Sequence, residues 1–356
     1  MSAEAFVGEV MARRLKKRDF MVPTSNLQYD ADECAITWEN GSTHMFELNN
    51  VSTQNLCSIL DEPKRFFDAM TRNEHPTVVK AHQNLVNDIL LTKRNERRLI
   101  RCYEEPIEED GSFQPEGACR AILSDKYRRI DNEEVMEVVA GALELNSVKN
   151  WYMETGDLTD RKMYLRLLSD RLRGDVAVGD AVQMGVMITN SEVGEGSFRM
   201  EPLLYRLSCL NGMVINDARF RKNHVSARNS GDGIEDLLKD ETKSLMNKAF
   251  LAQLKDVVEA MCNQDTFNNI IQQAKNGMEL SFKEPMDAVT EVTKRYELDK
   301  DESKALLQSF LGNSDYSLWG MANAMTNIAH IAQPDRRYEL QKLGHTILST
   351  TSLVAA

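Results

Sequence analysis

Clustered basic side chains are the most chemically loaded feature of this 356-residue chain. Lys93, Arg94, Arg97, Arg98 and Arg101 crowd the passage from an apolar helical repeat into a strand-like run, offset by Glu96 alone. Arg120, Lys126, Arg128 and Arg129 flank Tyr127, and Arg161, Lys162, Arg166, Arg171 and Arg173 follow. A last group, Arg206, Arg219, Arg221, Lys222, His224 and Arg228, lies on either side of Asn211-Gly212. Guanidinium forks grip phosphate oxygens with paired hydrogen bonds, and an aromatic ring beside them offers a base a stacking face. A groove collecting these side chains, with Tyr127 or Tyr205 as platform, would suit a single-stranded nucleic acid. The competing reading is local neutralisation, Arg161 by Asp160 and Arg171 by Asp170. For any one cluster that is the simpler account.

Other chemistries are poorly served. No glycine-rich phosphate loop ending in Lys-Ser/Thr and no GxSxG elbow is present, and the glycines near 179–185 miss the dinucleotide-binding spacing. Asn190 to Gly196 is loop-like but lacks the lysine of a phosphate loop and reads as a β-turn. The six cysteines stand singly and the six histidines show no HExxH spacing, so neither a disulfide framework nor a protein-built zinc site is expected. Acidic groups such as Glu108-Glu109-Asp110, Glu133-Glu134 and Asp299 to Glu302 could hold magnesium only if folding gathered them. His224 reads as an exposed or hydrogen-bonded histidine, Cys209 as a buried strand thiol, and Gly212 as a turn residue at positive φ. No catalytic residue, metal or cofactor is assigned.

The elements that must position these residues follow from periodicity. Ala3 to Lys17 reads as a helix with a cationic end, Cys34 to Leu48 as a hairpin turning at Asn40-Gly41, and Val78 to Leu91 as a helix. Strands are expected at 98–103, 118–123, 151–153, 162–167, 181–189 and 197–207, with a helix at 132–143 and an acidic loop from Glu104 to Gly117. Helical spacing dominates after residue 232. The expected fold class is α+β: a mixed, largely antiparallel sheet region with flanking helices, then a helical C-terminal region. The divisions are 1–50 (helix and hairpin), 51–230 (α+β core), 231–348 (helices) and 349–356 (flexible tail), with a hinge at 229–233. A net charge of −12 argues against a chain that coats nucleic acid over its whole surface. No apolar run approaches the ~20 residues of a membrane span and no secretory leader is evident, so a host-cell cytoplasmic protein without membrane contact is expected.

Three segments together carry a family resemblance: Arg120 to Asn132, Val178 to Gly194, and Tyr205 to Met213, with Leu318 to Ala329 as a weaker fourth. They resemble the phage and plasmid proteins grouped as domain-of-unknown-function family 932, over about residues 52–348. The resemblance implies a bacteriophage or mobile-element setting and transfers no activity and no catalytic residue. The basic character that the family commonly shows near the histidine after Asn-Gly is kept in Arg221-Lys222-Asn223-His224. The expectation is a non-enzymatic binder of single-stranded nucleic acid, acting in replication or recombination by binding or annealing strands. Its contacts would come from Arg94, Arg97, Arg98, Arg101, Arg120, Lys126, Arg128, Arg206, Arg219, Arg221, Lys222, His224 and Arg228, with Tyr127 stacking on bases. The alternative is a protein-interaction factor of a mobile element, a host-defence inhibitor or assembly component meeting a host or phage protein. A homo-oligomer is expected in either case.

Overall fold

The computed structural model describes residues 1–105, 115–145, 151–216, 220–222 and 263–354, with scattered positions between 245 and 261; for 142–145 and 220–222 it describes the backbone alone. Helix α1 (Ala3–Lys16) starts where Ser2 accepts the Ala5 N–H, and Lys17 then turns the chain straight into strand β1 (Lys17–Pro23). Strands β2 (Gln28–Asp30), β3 (Ala35–Glu39) and β4 (Thr43–Leu48) follow, the last two turning through Gly41 at φ 79° as the Asn-Gly pair predicts. Helices α2 (Asn50–Leu60), α3 (Lys64–Thr71) and α4 (Pro76–Thr92) come next, with Asn49 capping α2 through the Val51 and Ser52 N–H groups. β5 (Arg97–Glu104) and β6 (Gly117–Ser124) complete a six-stranded sheet ordered β1-β5-β6-β4-β3-β2. Every neighbour in it is antiparallel except β4–β6. A boundary after residue 50 therefore falls within one sheet. The helices cover one face through Leu56, Phe67, Val86 and Leu90 against Ile36, Phe46, Ile100 and Ile122.

Helix α5 (Asn132–Leu145) leads to the second sheet: β7 (Trp151–Leu158), β8 (Met163–Ala177), β9 (Asp180–Asn190), β10 (Phe198–Arg206) and β11 (Asn211–Val214). Its order is β11-β10-β9-β8-β7, and β12 (Phe220–Lys222) pairs with the start of β10. Alternation separates its faces. Met163, Leu165 and Leu167 meet Phe6 and Val10 of α1 and Val135 and Val139 of α5. The opposite face, with Tyr164, Leu168 and Leu203, meets the C-terminal helices at Tyr338. Those helices are α6 (Gln264–Met278), α7 (Pro285–Arg295), α8 (Lys300–Gly312), α9 (Leu318–Ile328) and α10 (Pro334–Leu348). They bury Phe267, Leu306, Phe310, Trp319 and Met325 in the largest core cluster, shared with Val182, Met184 and Leu204 of the sheet. The fold is thus α+β, with two sheets and a helical C-terminal region.

Two local expectations change. Asn211-Gly212 is not a turn: Gly212 lies in β11 opposite Tyr205, and Leu210 takes the left-handed conformation at φ 52°. A Cβ at Gly212 would sit 2.9 Å from Leu203 Cδ1, so that side chain would have to shift. Cys209 accordingly lies half-buried in the turn beside Arg206 rather than on a strand. The hinge at 229–233 and most of the 234–258 helix lie outside the described residues. Among the described residues no helix is long and apolar enough to cross a membrane.

Candidate functional site

The two sheets meet over a buried ion network that begins with an irregularity in one strand pair. Arg101 faces Ala121 across β5–β6, yet Cys102 faces Cys119, so Arg120 is the extra residue of a β-bulge. Bulges re-aim side chains, and this one sends Arg120 to the carboxylate of Glu192, the residue whose backbone carbonyl Arg101 holds. Arg120 Nη1 lies 2.6 Å from Glu192 Oε2 and donates to the Tyr103 hydroxyl at 2.8 Å, while the guanidinium stacks 4.2 Å over the Tyr103 ring. Arg101 donates to the Glu192 carbonyl, to Asp19 at 3.0 Å and to Asp131 at 2.7 Å. Lys17 Nζ reaches both Glu133 and Glu192 at 2.5 Å.

Glu192 is the hub. It sits in the β9–β10 loop at the N-terminus of α5, where its Oε1 accepts the Asn132 N–H at 2.7 Å, a position that favours negative charge. The loop is held from three sides: Tyr127 donates to the Ser191 carbonyl, Ser191 Oγ donates to the Arg161 carbonyl, and Asn190 donates to the Ile130 carbonyl and the Asn132 side chain. Burial alone would raise the Glu192 carboxyl, but Arg120, Lys17 and Arg101 outweigh it and hold it down at about 2. The same balance acts on the cations. Burial opposes charge on Lys17, whereas Glu192 and Asp131 leave its ammonium with a raised pKa. Burial likewise opposes Arg120, and Glu192 and Tyr103 reverse it.

Beside this network lies a recess of about 180 Å³, walled by Arg13 of α1, Tyr103 and Arg120, Arg161 and Lys162 of the β7–β8 turn, and Glu192. Its walls carry four cationic side chains against two carboxylates, Asp160 and Glu192, and Arg13 is also paired with Glu9 at 2.7 Å. Arg120 is 4% exposed, and its Nε and Nη2 have no hydrogen-bond partner among the described residues. Buried guanidinium N–H groups left unmatched are costly, and these two belong to a side chain that lines the recess. Asn49 and Asn132 also line the recess with their side-chain oxygens already accepting, which leaves their amide NH₂ groups as donors. The chemistry available is recognition of a small oxyanion. Among the described residues no group of three or more His, Cys, Asp or Glu side chains is placed to hold a metal ion.

The residues expected to line one groove are distributed differently. Arg101 and Arg120 converge, but as buried members of the ion network. Tyr127 is buried with its hydroxyl engaged, and Tyr205 is buried beneath Arg166, so neither ring has a face for a base. Arg98 pairs with Glu96 and, with Lys93, lines a separate, more open groove of about 420 Å³. Its Arg98 lies about 17 Å along β5 from Tyr103, at ~3.3 Å per strand residue. Arg94 and Arg97 are exposed with no ion pair among the described residues. Lys126 is exposed and Arg128 half-buried beside Tyr127. Arg206 pairs with Asp180 at the far end of β10. Arg219, His224 and Arg228 lie outside the described residues, as do the side chains of Arg221 and Lys222. Of the local neutralisations, Asp170 pairs with Arg173.

Sequence reasoning missed Arg13, Lys17 and Glu192 as site residues. Arg13 and Lys17 were legible only as the cationic end of a helix, and Glu192 only as part of a turn. The available signal was Glu192 within Asn190-Ser191-Glu192, polar residues directly continuing a long apolar strand.

Fold and site together define an α+β protein with a cationic recess between two sheets, built on a buried Arg-Glu-Lys network. The chain belongs to the domain-of-unknown-function family DUF932, whose model matches residues 121–347. The match begins within β6, later than the residue 52 suggested by the resemblance, so Glu192, Arg161 and Lys162 fall inside it and Arg13, Lys17, Arg101 and Arg120 outside. No curated protein and no solved structure matches the chain.

Proposed function

We propose that this protein binds single-stranded nucleic acid, with the Arg120 recess as its phosphate anchor, in replication or recombination of a phage or other mobile element. The observation that carries this reading is the meeting of Arg13, Arg120, Arg161 and Lys162 around one recess in a chain whose net charge is −12. Four cations from three distant points of an acidic chain attract a polyanion to one place rather than to the whole surface. The role is binding or strand annealing, not chemistry. Stacking by Tyr127 has no part in it, because that ring is buried.

Fluorescence anisotropy with a labelled oligothymidylate tests the proposal. Binding at low salt that weakens steeply as salt rises supports it, since each phosphate contact releases counterions. No association at low salt overturns it. A second reading, an interaction factor for a host or phage protein, is favoured by the acidic net charge and by the pairing of Arg98, Arg101, Arg120 and Arg206 with carboxylates. Stoichiometric recovery of one partner by a chain that binds no oligonucleotide would select it.

A further inference from the structure

Building on the strand-binding reading, we propose that the recess takes the terminal phosphate monoester of a single strand rather than an internal phosphodiester. Size is the first argument. At about 180 Å³ the recess is smaller than the roughly 300–1,000 Å³ of pockets that enclose drug-sized ligands, so a phosphate enters and a nucleoside stays outside. Arg120, only 4% exposed, belongs to the buried part of the wall. An internal phosphodiester reaches such a group only if the strand both enters and leaves the recess. A terminal phosphate arrives on one connection.

Charge and geometry agree with size. A monoester carries about −1.5 to −2 charges at pH 7, against −1 for a diester. The wall cations exceed the wall carboxylates, and Glu192 is already engaged by Lys17 and Arg120. Arg120 commits Nη1 to Glu192 and Tyr103, and the Tyr103 ring fixes the guanidinium plane. Nε and Nη2, the two unpartnered nitrogens, form one edge of the guanidinium and match a pair of oxygens. A monoester has three non-bridging oxygens, enough to fill that edge and still face Arg161 or Lys162. A diester has two.

The test compares 3′-labelled oligothymidylates carrying a 5′-phosphate or a 5′-hydroxyl, and 5′-labelled ones with a 3′-phosphate or 3′-hydroxyl, by anisotropy at fixed salt. A terminal phosphate at one end is expected to tighten binding by about tenfold, and thymidine monophosphate is expected to compete away only that gain. Arg120→Lys keeps the charge opposite Glu192 but removes the fork, and is expected to bind both oligonucleotides equally. Lys162→Ala, half-buried on the rim, is expected to reduce the preference with the fold intact. Equal affinity of phosphorylated and unphosphorylated strands for the wild-type chain overturns the end-binding inference while leaving strand binding standing. Failure of every oligonucleotide to bind overturns strand binding itself. Binding of thymidine monophosphate or inorganic phosphate without any strand binding overturns both in favour of a site for free phosphate compounds. Full preference retained in folded Arg120→Lys overturns the assignment to Arg120.

Discussion

Glu192 faces Lys17 and Arg120 with a side chain 4% exposed, and that single carboxylate holds the two sheets in one electrostatic arrangement. A buried ion pair adds little net stability compared with apolar packing, but removing one partner strands the other and costs about 3–5 kcal/mol. Glu192→Gln is therefore expected to lose about that much in urea unfolding. The pH dependence has a definite sign. The folded carboxyl lies near 2 and an unfolded glutamate near about 4.3, so its contribution is present above the unfolded value and is lost as pH falls towards the folded one. Thermal unfolding of the wild-type chain should drop across that window, and Glu192→Gln should show a shallower drop. Tyr127→Phe gives a contrasting outcome: it leaves the buried Ser191 carbonyl without its donor, costing about 1 kcal/mol, yet should leave oligonucleotide affinity unchanged. A loss of affinity with no loss of stability would contradict the buried role of that ring.

The β9–β10 loop owes its shape to one backbone position. Gly194 adopts φ 82°, and a Cβ there would stand 2.9 Å from Leu123 Cδ2 on the neighbouring sheet. Gly194→Ala is expected to cost at least about 1–2 kcal/mol from the left-handed conformation alone, measured by denaturant unfolding. Because Glu192 lies two residues earlier, the same change should also weaken oligonucleotide binding. Unchanged stability would show that the loop can re-form around the methyl group. The bulge at Arg120 is the companion device: regular β5–β6 pairing would leave no extra residue there to turn its side chain to Glu192.

At the scale of the molecule, a net charge of −12 makes any strand binding a local affair. The salt dependence should report a small number of phosphate contacts, with a modest slope of log affinity against log salt. Replacing the rim cations together, Arg161→Ala with Lys162→Ala, is expected to reduce that slope by about 1.4, at roughly 0.7 per contact for single strands. An unchanged slope in a folded double variant would remove the β7–β8 turn from the contact surface. The helical C-terminal region enters through stability: Trp319 Nε1 donates to Asp180 at 2.9 Å, and Asp180 also holds Arg206, so α9 is tied to the second sheet well away from the recess.

What the sequence determined by itself was local. Apolar spacing marked α4 and β9, and helical spacing after residue 232 announced the C-terminal helices. Asn40-Gly41 announced its hairpin, because its conformational demand is met within a few residues. Strand β1 was not legible, since Lys17 to Pro23 leave α1 without a turn residue and find their partner some 80 positions later in β5. The site belongs to that second kind. Arg120 and Glu192 are 72 residues apart, Arg13 more distant still, and whether an arginine meets a phosphate or a carboxylate depends on which side chains folding brings within a few ångströms. Charge at a sequence position is a local property. Its compensation is a property of the packed chain.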